Sequence, residues 1–338
     1  MQLFDTLRRY KMLLDIKKVL DMSSGFHKLW HISTGVELGI FDNLVKKPMG
    51  AQEYAAIYDL DTELVNAWME IGASYGLLKK RGEVYSNTAF TETYLCMHSR
   101  LCFANFPWGI TSMHSKLFEK LPELMRNKKR YQISPDLALK VVQGTRFLDN
   151  WGLDVLLTLP VHEDNCRILD IGCGQGYYLI ELAKRNQTLT GTGVELQESV
   201  CTEVNGRIKN AGLQDRLSVL HGNAKEIDLG ENYDICLINN MLYYLEKEEA
   251  MELLKRAKKA LKPDGMIAVQ QPILTGNVDV GFVHWVILIF GGMGLLPKGD
   301  LMNLLKHEGF DQVTAKKIEP TGQWLYFIGI NEKIKRKL

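Results

Sequence analysis

The stretch Arg167-Ile-Leu-Asp-Ile-Gly-Cys-Gly-Gln-Gly-Tyr-Tyr-Leu-Ile-Glu-Leu-Ala-Lys184 constrains this chain more than any other part of it. Ile168, Leu169 and Ile171 form a short apolar run suited to a strand covered on both faces. Gly172, Gly174 and Gly176 follow at alternate positions, and Leu179, Ile180, Leu182 and Ala183 then recur at helical spacing. Strand, glycine turn and helix in that order let the backbone approach a ligand at the N-terminus of the helix.

The glycine spacing differs from the dinucleotide pattern G-x-G-x-x-G, because the third glycine comes one residue early. Asp170 stands two residues before the first glycine, where a carboxylate would repel a pyrophosphate. It suits a ligand with a cationic amino-acid head, such as S-adenosylmethionine. Leu189 to Glu195 reads as a second strand ending in an acid about 20 residues beyond the turn, a spacing at which a carboxylate can accept both ribose hydroxyls.

Strand and helix alternate from there on, which implies a parallel sheet. Helix is expected over Glu198–Ala211, strand over Leu217–His221 ending at Gly222-Asn223-Ala224, and strand over Tyr233–Asn239. Glu246–Leu261 is an amphipathic helix stopped by Pro263 and Gly265. Met266–Gln270 is a fifth strand and Leu301–Glu308 a helix, and Asp311–Ile318 with Trp324–Ile330 can close the sheet as a strand pair. The fold class is α/β: a Rossmann-like, seven-stranded, mostly parallel sheet. Ligands in such sheets bind at the carboxyl ends of the strands, where Asp170, Glu195, Asn223 and Asn239 all fall.

The N-terminal part reads as helical. Leu3, Phe4, Leu7, Tyr10, Leu14 and Val19 recur among basic residues as an amphipathic helix that would pack on a partner subunit. Helices are expected near Phe26–Thr34, Ala51–Tyr58 and Thr62–Leu78, the last capped by Asp61 or Thr62, with a hairpin turning at Arg81-Gly82. Three helices and a hairpin make a winged helix, so a DNA-binding regulator is the rival reading. The would-be recognition helix carries Asp61, Glu63 and Glu70 and no basic residue, which argues against DNA. His27 and His31 lie one turn apart but lack the further ligands of a metal motif.

Composition narrows the remainder. Length suggests about two domains. The formal net charge is +1, so nothing global favours nucleic acid or an anionic membrane. None of the six cysteines forms a Cys-x-x-Cys pair, which gives no zinc or redox signature and suits reduced thiols in a cytoplasmic protein. The first twenty residues do not read as a signal peptide. Gly281 to Pro297 is the most apolar segment but is short for a membrane span.

Asp170-x-Gly172-x-Gly174-x-Gly176, Glu195, Gly222-Asn223-Ala224 and Leu261-Lys-Pro-Asp-Gly265, in that order, resemble the motif series of class I S-adenosylmethionine-dependent methyltransferases. The phrase Gly35 to Leu44, the helix ending Ala73 to Leu78 and the hairpin are similar to the N-terminal dimerisation domain of plant and bacterial small-molecule O-methyltransferases. The resemblance implies a winged-helix dimerisation domain over 1–100, a helical connector over 101–160 contributing to the substrate pocket, and the cofactor domain over 161–338. It implies a homodimer acting on a small-molecule acceptor held between the domains. It implies cofactor contacts from Asp170, Gly172, Cys173, Gly174, Gly176, Glu195, Leu196, Asn223, Ala224 and Asn239, and no metal. Acceptor contacts would come from Trp108, Met113, Asn240, Tyr243 and Trp285, with Tyr178 and Met293 as further pocket candidates.

In the resembling enzymes a histidine shortly after the fourth strand deprotonates the substrate hydroxyl. Here Leu242-Tyr-Tyr-Leu-Glu-Lys-Glu248 occupies that place, with Tyr243 where the histidine would stand. Either another base serves, with His284 or His114 as candidates, or the nucleophile needs no strong base, or the protein binds the cofactor without methylating anything. A thioether has no proton to lose and a thiol is partly ionised near neutral pH, so acceptor oxygen and sulfur both stay open. A tyrosine of ordinary pKa is a poor base but a good hydrogen-bond partner, so Tyr243 is expected to position the acceptor.

Overall fold

The computed structural model describes residues 2–131, 134 and 143–331; the side chains of residues 2–10, 145 and 279 lie outside that description. It divides into two compact units, residues 1–119 with 143–147, and residues 120–142 with 148–338. Residues 101–160, read from the sequence as a helical connector, are assigned in part to each unit.

The first unit contains α1 (Gln2–Glu37), α2 (Ile40–Lys46), α3 (Ala51–Tyr58), α4 (Thr62–Ser74), the hairpin β1 (Leu78–Arg81) and β2 (Val84–Asn87), α5 (Ala89–Tyr94) and α6 (Asn105–Gly109). A π-helical turn, Ile110–His114, runs on into α7 (Ser115–Asn127). The two N-terminal helices expected from the sequence are one continuous helix, because nothing between Val19 and Phe26 breaks it. Leu3, Phe4, Leu7 and Tyr10 of the expected apolar face lie outside the described side chains. Beyond them Met12, Leu13, Leu14, Ile16, Val19 and Leu20 are all exposed, and they point to more than one side of the helix.

Gly39, at φ 64°, separates α1 from α2. The Asp61 carboxylate caps α4 by accepting from the Leu64 N–H at 2.9 Å. That helix stops at Ser74, short of the expected Leu78, because Gly76 adopts φ 71° and Leu77 N–H turns back to the Gly72 carbonyl at 2.9 Å. β1 and β2 pair antiparallel around Gly82, as the sequence implied. His31 stacks on Trp68 with ring centroids 4.2 Å apart, and its Nε2–H donates to the Trp68 carbonyl at 2.9 Å while the indole N–H donates to the His31 carbonyl. It is a core histidine held in a cross-brace.

The second unit takes in the end of α7 from Lys120 and, after a 3₁₀ turn over Thr145–Leu148, α8 (Asp149–Leu156). Then come β3 (Arg167–Ile171), α9 (Tyr177–Arg185), β4 (Thr190–Glu195), α10 (Glu198–Asn210), β5 (Leu217–His221) and β6 (Tyr233–Asn239). A 3₁₀ turn, Leu242–Tyr244, precedes α11 (Lys247–Ala260), β7 (Leu261–Pro272), α12 (Val278–Phe290), α13 (Lys298–His307), β8 (Phe310–Lys317) and β9 (Trp324–Asn331). The sheet order is β5-β4-β3-β6-β7-β9-β8, with β3 to β7 parallel and β9 antiparallel to both neighbours. β7 starts directly at Leu261, ahead of the expected Met266, with Asp264 at φ 68° in the irregular stretch where its register against β6 shifts. A capping box between Glu246 and Glu249 starts α11.

Successive crossovers run outward from β3 toward β5, and the chain then returns to β6 on the other side. The switch point of the sheet therefore falls between β3 and β6, where ligands bind at the carboxyl ends. One sheet face buries Leu169, Ile171, Cys236, Ile238, Ile267, Val269 and Phe327 against α11 and α13, through Leu253, Leu254, Leu301 and Leu305. The apolar Gly281–Pro297 segment contains the last ten residues of α12, a helix of 13 residues. Among the described residues no helix is long and apolar enough to cross a membrane.

Candidate functional site

The glycine turn after β3 is built from three left-handed glycines. Gly172, Gly174 and Gly176 have φ of 72°, 52° and 68°, conformations that a side chain makes costly. The N–H groups of Gly172 and Cys173 donate to the Val194 carbonyl, at 2.8 and 3.1 Å, and tie the turn to β4. A Cβ on Gly176 would stand 2.3 Å from Val204 Cγ2, so the N-terminus of α9 sits directly against α10. Arg207 of α10 reaches over to the loop, donating to the backbone and side-chain oxygens of Gln175 at 3.1 Å each. Neither Gln175 nor Arg207 was singled out in the sequence.

Asp170 lies at the carboxyl end of β3 and is 1% exposed. Burial pushes its carboxyl up to about 7; the Asn239 amide opposes this and the nearby Glu195 charge adds to it. The Asn239 amide donates to the Asp170 carboxylate at 3.5 Å and its oxygen accepts from the Tyr326 hydroxyl at 2.8 Å. On the same sheet face the Tyr178 hydroxyl donates to the Gln270 amide oxygen at 2.8 Å. Gly152 of α8 lets that helix come close, since a Cβ there would lie 2.4 Å from the Tyr178 hydroxyl. Tyr326, on β9, completes a buried polar layer under the turn.

Glu195, at the end of β4, is half of a preset pair. One carboxylate oxygen accepts from Gly174 N–H at 3.1 Å and the other from Gln197 N–H at 3.0 Å. Leu196 next to it is exposed, and Ala224, after β5, is buried in the core. Asn223 makes a local turn: its oxygen accepts from Lys225 N–H at 3.1 Å and its amide donates to Glu226 at 2.8 Å. That oxygen keeps a second lone pair. Asp170, the glycine turn, Glu195, Asn223 and Asn239 thus gather at the carboxyl ends of β3, β4, β5 and β6.

The two catalytic candidates, Tyr243 and His284, both lie in the second unit. Tyr243 is 4% exposed and packs with Val280, Ile287 and Leu295. Burial pushes its hydroxyl well above the ordinary tyrosine range and that of the neighbouring Tyr244 to about 12, and the two ring centroids lie 4.7 Å apart. His284, on α12, accepts the Leu295 N–H on Nδ1 at 2.9 Å. A neutral His284 bound in this way carries its proton on Nε2 and has no free lone pair for a base. Gly292 and Gly294 permit this packing, since a Cβ on either would stand within 2.5 Å of Tyr243 O or His284 Cε1.

Of the acceptor-contact candidates in the second unit, Trp285 is partly exposed on α12, and Asn240 follows β6 at φ 50° with its buried side-chain oxygen unpartnered. Met293 donates its N–H to the Leu245 carbonyl at 2.8 Å. Trp108 and Met113 are half-buried in the first unit, on α6 and the π-helical turn. There His114 lines an apolar cavity of about 650 Å³ with Phe26, Trp30, Ile110, Ser115 and Phe118, and burial lowers its imidazole to about 4.

The donor set at the sheet end fits S-adenosylmethionine. A buried carboxylate can meet its cationic head, an acid at the end of β4 its ribose, and three left-handed glycines leave room for close approach of the ligand.

Comparison with known proteins agrees. Residues 168–265 match a methyltransferase domain and residues 20–96 an O-methyltransferase dimerisation domain. A 3-hydroxy-5-methyl-1-naphthoate 3-O-methyltransferase from Streptomyces sahachiroi is 23% identical over 283 residues, 80% of this chain and 82% of its own length. Among solved structures, an O-methyltransferase family protein from Burkholderia thailandensis superposes with a TM-score of 0.75 at 20% identity, covering 95% of this chain and 99% of its own. Human N-acetylserotonin methyltransferase, solved with S-adenosylmethionine, gives 0.77 at 18% identity, covering 94% and 97%. With the site geometry, these matches identify the chain as a class I S-adenosylmethionine-dependent methyltransferase whose methyltransferase domain follows an O-methyltransferase dimerisation domain.

Proposed function

We propose that this enzyme methylates a small-molecule oxygen or sulfur nucleophile that arrives ionised or carries no proton, so that no protein base is required. The observation that carries the reading is the Leu295 N–H on His284 Nδ1, at 2.9 Å, together with a buried Tyr243 whose hydroxyl burial holds protonated, well above the ordinary tyrosine range. S-adenosylmethionine supplies a methyl group already activated by the positive sulfur. The chain's share is to hold and orient. Asp170 takes the ammonium of the cofactor, Glu195 its ribose hydroxyls and Asn223 its adenine amino group. The Streptomyces relative is named for the 3-oxygen of a hydroxynaphthoate, and an acidic aromatic hydroxyl is the acceptor class placed first here.

The N-terminal unit serves dimerisation in this proposal, as a winged helix, and does not read DNA. Support comes from the match over residues 20–96, from the apolar surface of α1 and from an α4 without basic residues. All six cysteines are free thiols, which suits a cytoplasmic protein.

The test is a panel of phenols and thiols of graded acidity, with S-adenosylhomocysteine release as the readout. The expected outcome is a kcat/KM that rises with pH through each acceptor's own pKa. An apparent pKa that stays fixed across the panel reveals a protein base and overturns the proposal.

A further inference from the structure

In the first unit, far from the glycine turn in sequence, three side chains of metal-binding type converge. Asp42 sits in the first turn of α2, and Cys96 and His98 follow α5. The Asp42 carboxylate accepts from Met97 N–H at 2.8 Å, which draws this loop onto α2 across 55 residues of chain. His98 Nδ1 lies 3.8 Å from the same carboxylate oxygen. One ligand atom from each of Asp42, Cys96 and His98 lies within 4.8 Å of the other two.

We propose that Asp42, Cys96 and His98 bind one zinc ion that fastens the loop after α5 to α2 within the dimerisation domain. Thiolate, imidazole and carboxylate together are zinc donors, whereas magnesium and calcium call for oxygen alone. Zinc–ligand bonds of about 2.0–2.3 Å in tetrahedral geometry place the ligand atoms roughly 3.3–3.7 Å apart. The ligand atoms, within 4.8 Å of one another, need to close by about an ångström at most, and the His98 side chain, 59% exposed, has room to move. The solvent on that side supplies the fourth ligand.

Supporting contacts around the ligands are already in place. The Cys96 sulfur is fully buried, 3.6 Å from the Asn87 amide and 3.7 Å from the Phe41 carbonyl. The Asn87 amide also donates to that carbonyl at 2.8 Å. Such contacts hold a ligand in one orientation before the ion arrives. On binding, the zinc–sulfur bond replaces the S–H bond and the thiol proton leaves to solvent. Cys-x-His has no motif spacing of its own, and the third ligand is remote in sequence, which is why cysteine spacing gave no sign of the site.

Full-length protein stripped by chelator is titrated with Zn²⁺ and with Co²⁺ alone. One equivalent per chain should bind, Co²⁺ should show a thiolate charge-transfer band, and Zn²⁺ should raise the melting temperature. His98→Ala and Asp42→Asn, both near the surface and tolerable to the fold, should each weaken Zn²⁺ binding by more than about tenfold. His27→Ala, an exposed histidine on α1, should bind as wild type. Absence of saturable binding, a cobalt spectrum without the thiolate band, or His98→Ala indistinguishable from wild type would each overturn the assignment.

Discussion

The backbone N–H of Gly174 donates to the carboxylate of Glu195 at 3.1 Å, joining the glycine turn after β3 to the end of β4. This contact sets the acid in the orientation that ribose recognition needs, so little ordering remains to be done on binding. Glu195→Ala removes the tie and the acceptor together. Affinity for S-adenosylhomocysteine should fall by about ten- to a hundredfold, the worth of one or two hydrogen bonds to a charged group. Calorimetry measures it, with NAD as a control that stays weak in both proteins. Unchanged affinity in the variant removes Glu195 from the site.

Asp170 gives the cofactor affinity a pH dependence. Its carboxyl titrates near 7 in the folded protein against 3.8 as a free side chain. Between those values the folded state keeps a proton that the unfolded state has lost. The ligand-free protein therefore loses stability as pH rises through that window, by an amount on the order of a few kcal/mol once above it. Cofactor binding runs the other way, since the ammonium head prefers the ionised carboxylate: affinity should rise from pH 6 to pH 8. Asp170→Asn should flatten both profiles while binding more weakly. A variant that keeps the wild-type slope assigns the titration to another group.

Much of this site was legible because its parts are local. A strand buried on both faces, three glycines and an acid at the end of the next strand are written in consecutive residues, and the strands Leu217–His221 and Tyr233–Asn239 have the bounds expected of them. What escaped notice depends on distant pairing. Tyr326 reaches Asn239 across 87 residues and Arg207 reaches Gln175 across 32, contacts that exist only because β9 and α10 pack where they do. The sequence suggests Tyr243 as a positioning group, but its neighbours in sequence do not reveal that α12 covers it. α1 was read as two helices because its apolar residues change face along its length.

Gly176 combines two demands. Its φ of 68° disfavours any side chain, and a Cβ there meets Val204 Cγ2 at 2.3 Å. Gly176→Ala should destabilise the protein by about 1–3 kcal/mol, read by denaturant unfolding, and weaken the cofactor because α9 must move off α10. Adding Val204→Ala removes the clash but leaves the left-handed backbone, so rescue should be partial. Full rescue would assign the whole effect to packing, and no effect in Gly176→Ala would show that the turn adapts.

Tyr243→Phe separates packing from catalysis. The ring of Tyr243 fills a buried cluster with Val280, Ile287 and Leu295 and lies against the ring of Tyr244. Phenylalanine keeps the ring contacts and removes one buried hydroxyl, a net cost of up to about 1.5 kcal/mol in stability. In a chain of this size that is a fall of up to about 2 °C in Tm. Since the side chain is buried in that cluster, kcat/KM should stay within about threefold of wild type and its pH profile should not change. A tyrosine that oriented the acceptor by donating to a charged group would instead show a loss of about ten- to a hundredfold in kcat/KM. A tyrosine that served as base would lose an ionisation from the profile. His284→Gln is the companion experiment. Its amide oxygen can still accept from Leu295 N–H, so the fold is preserved, yet it cannot take a proton. Near-wild-type rates in both variants on an acidic phenol or a thiol are the result expected of an enzyme that relies on its acceptor to be ionised. A loss of more than about a hundredfold in His284→Gln, with the fold intact, would place the general base on α12 after all.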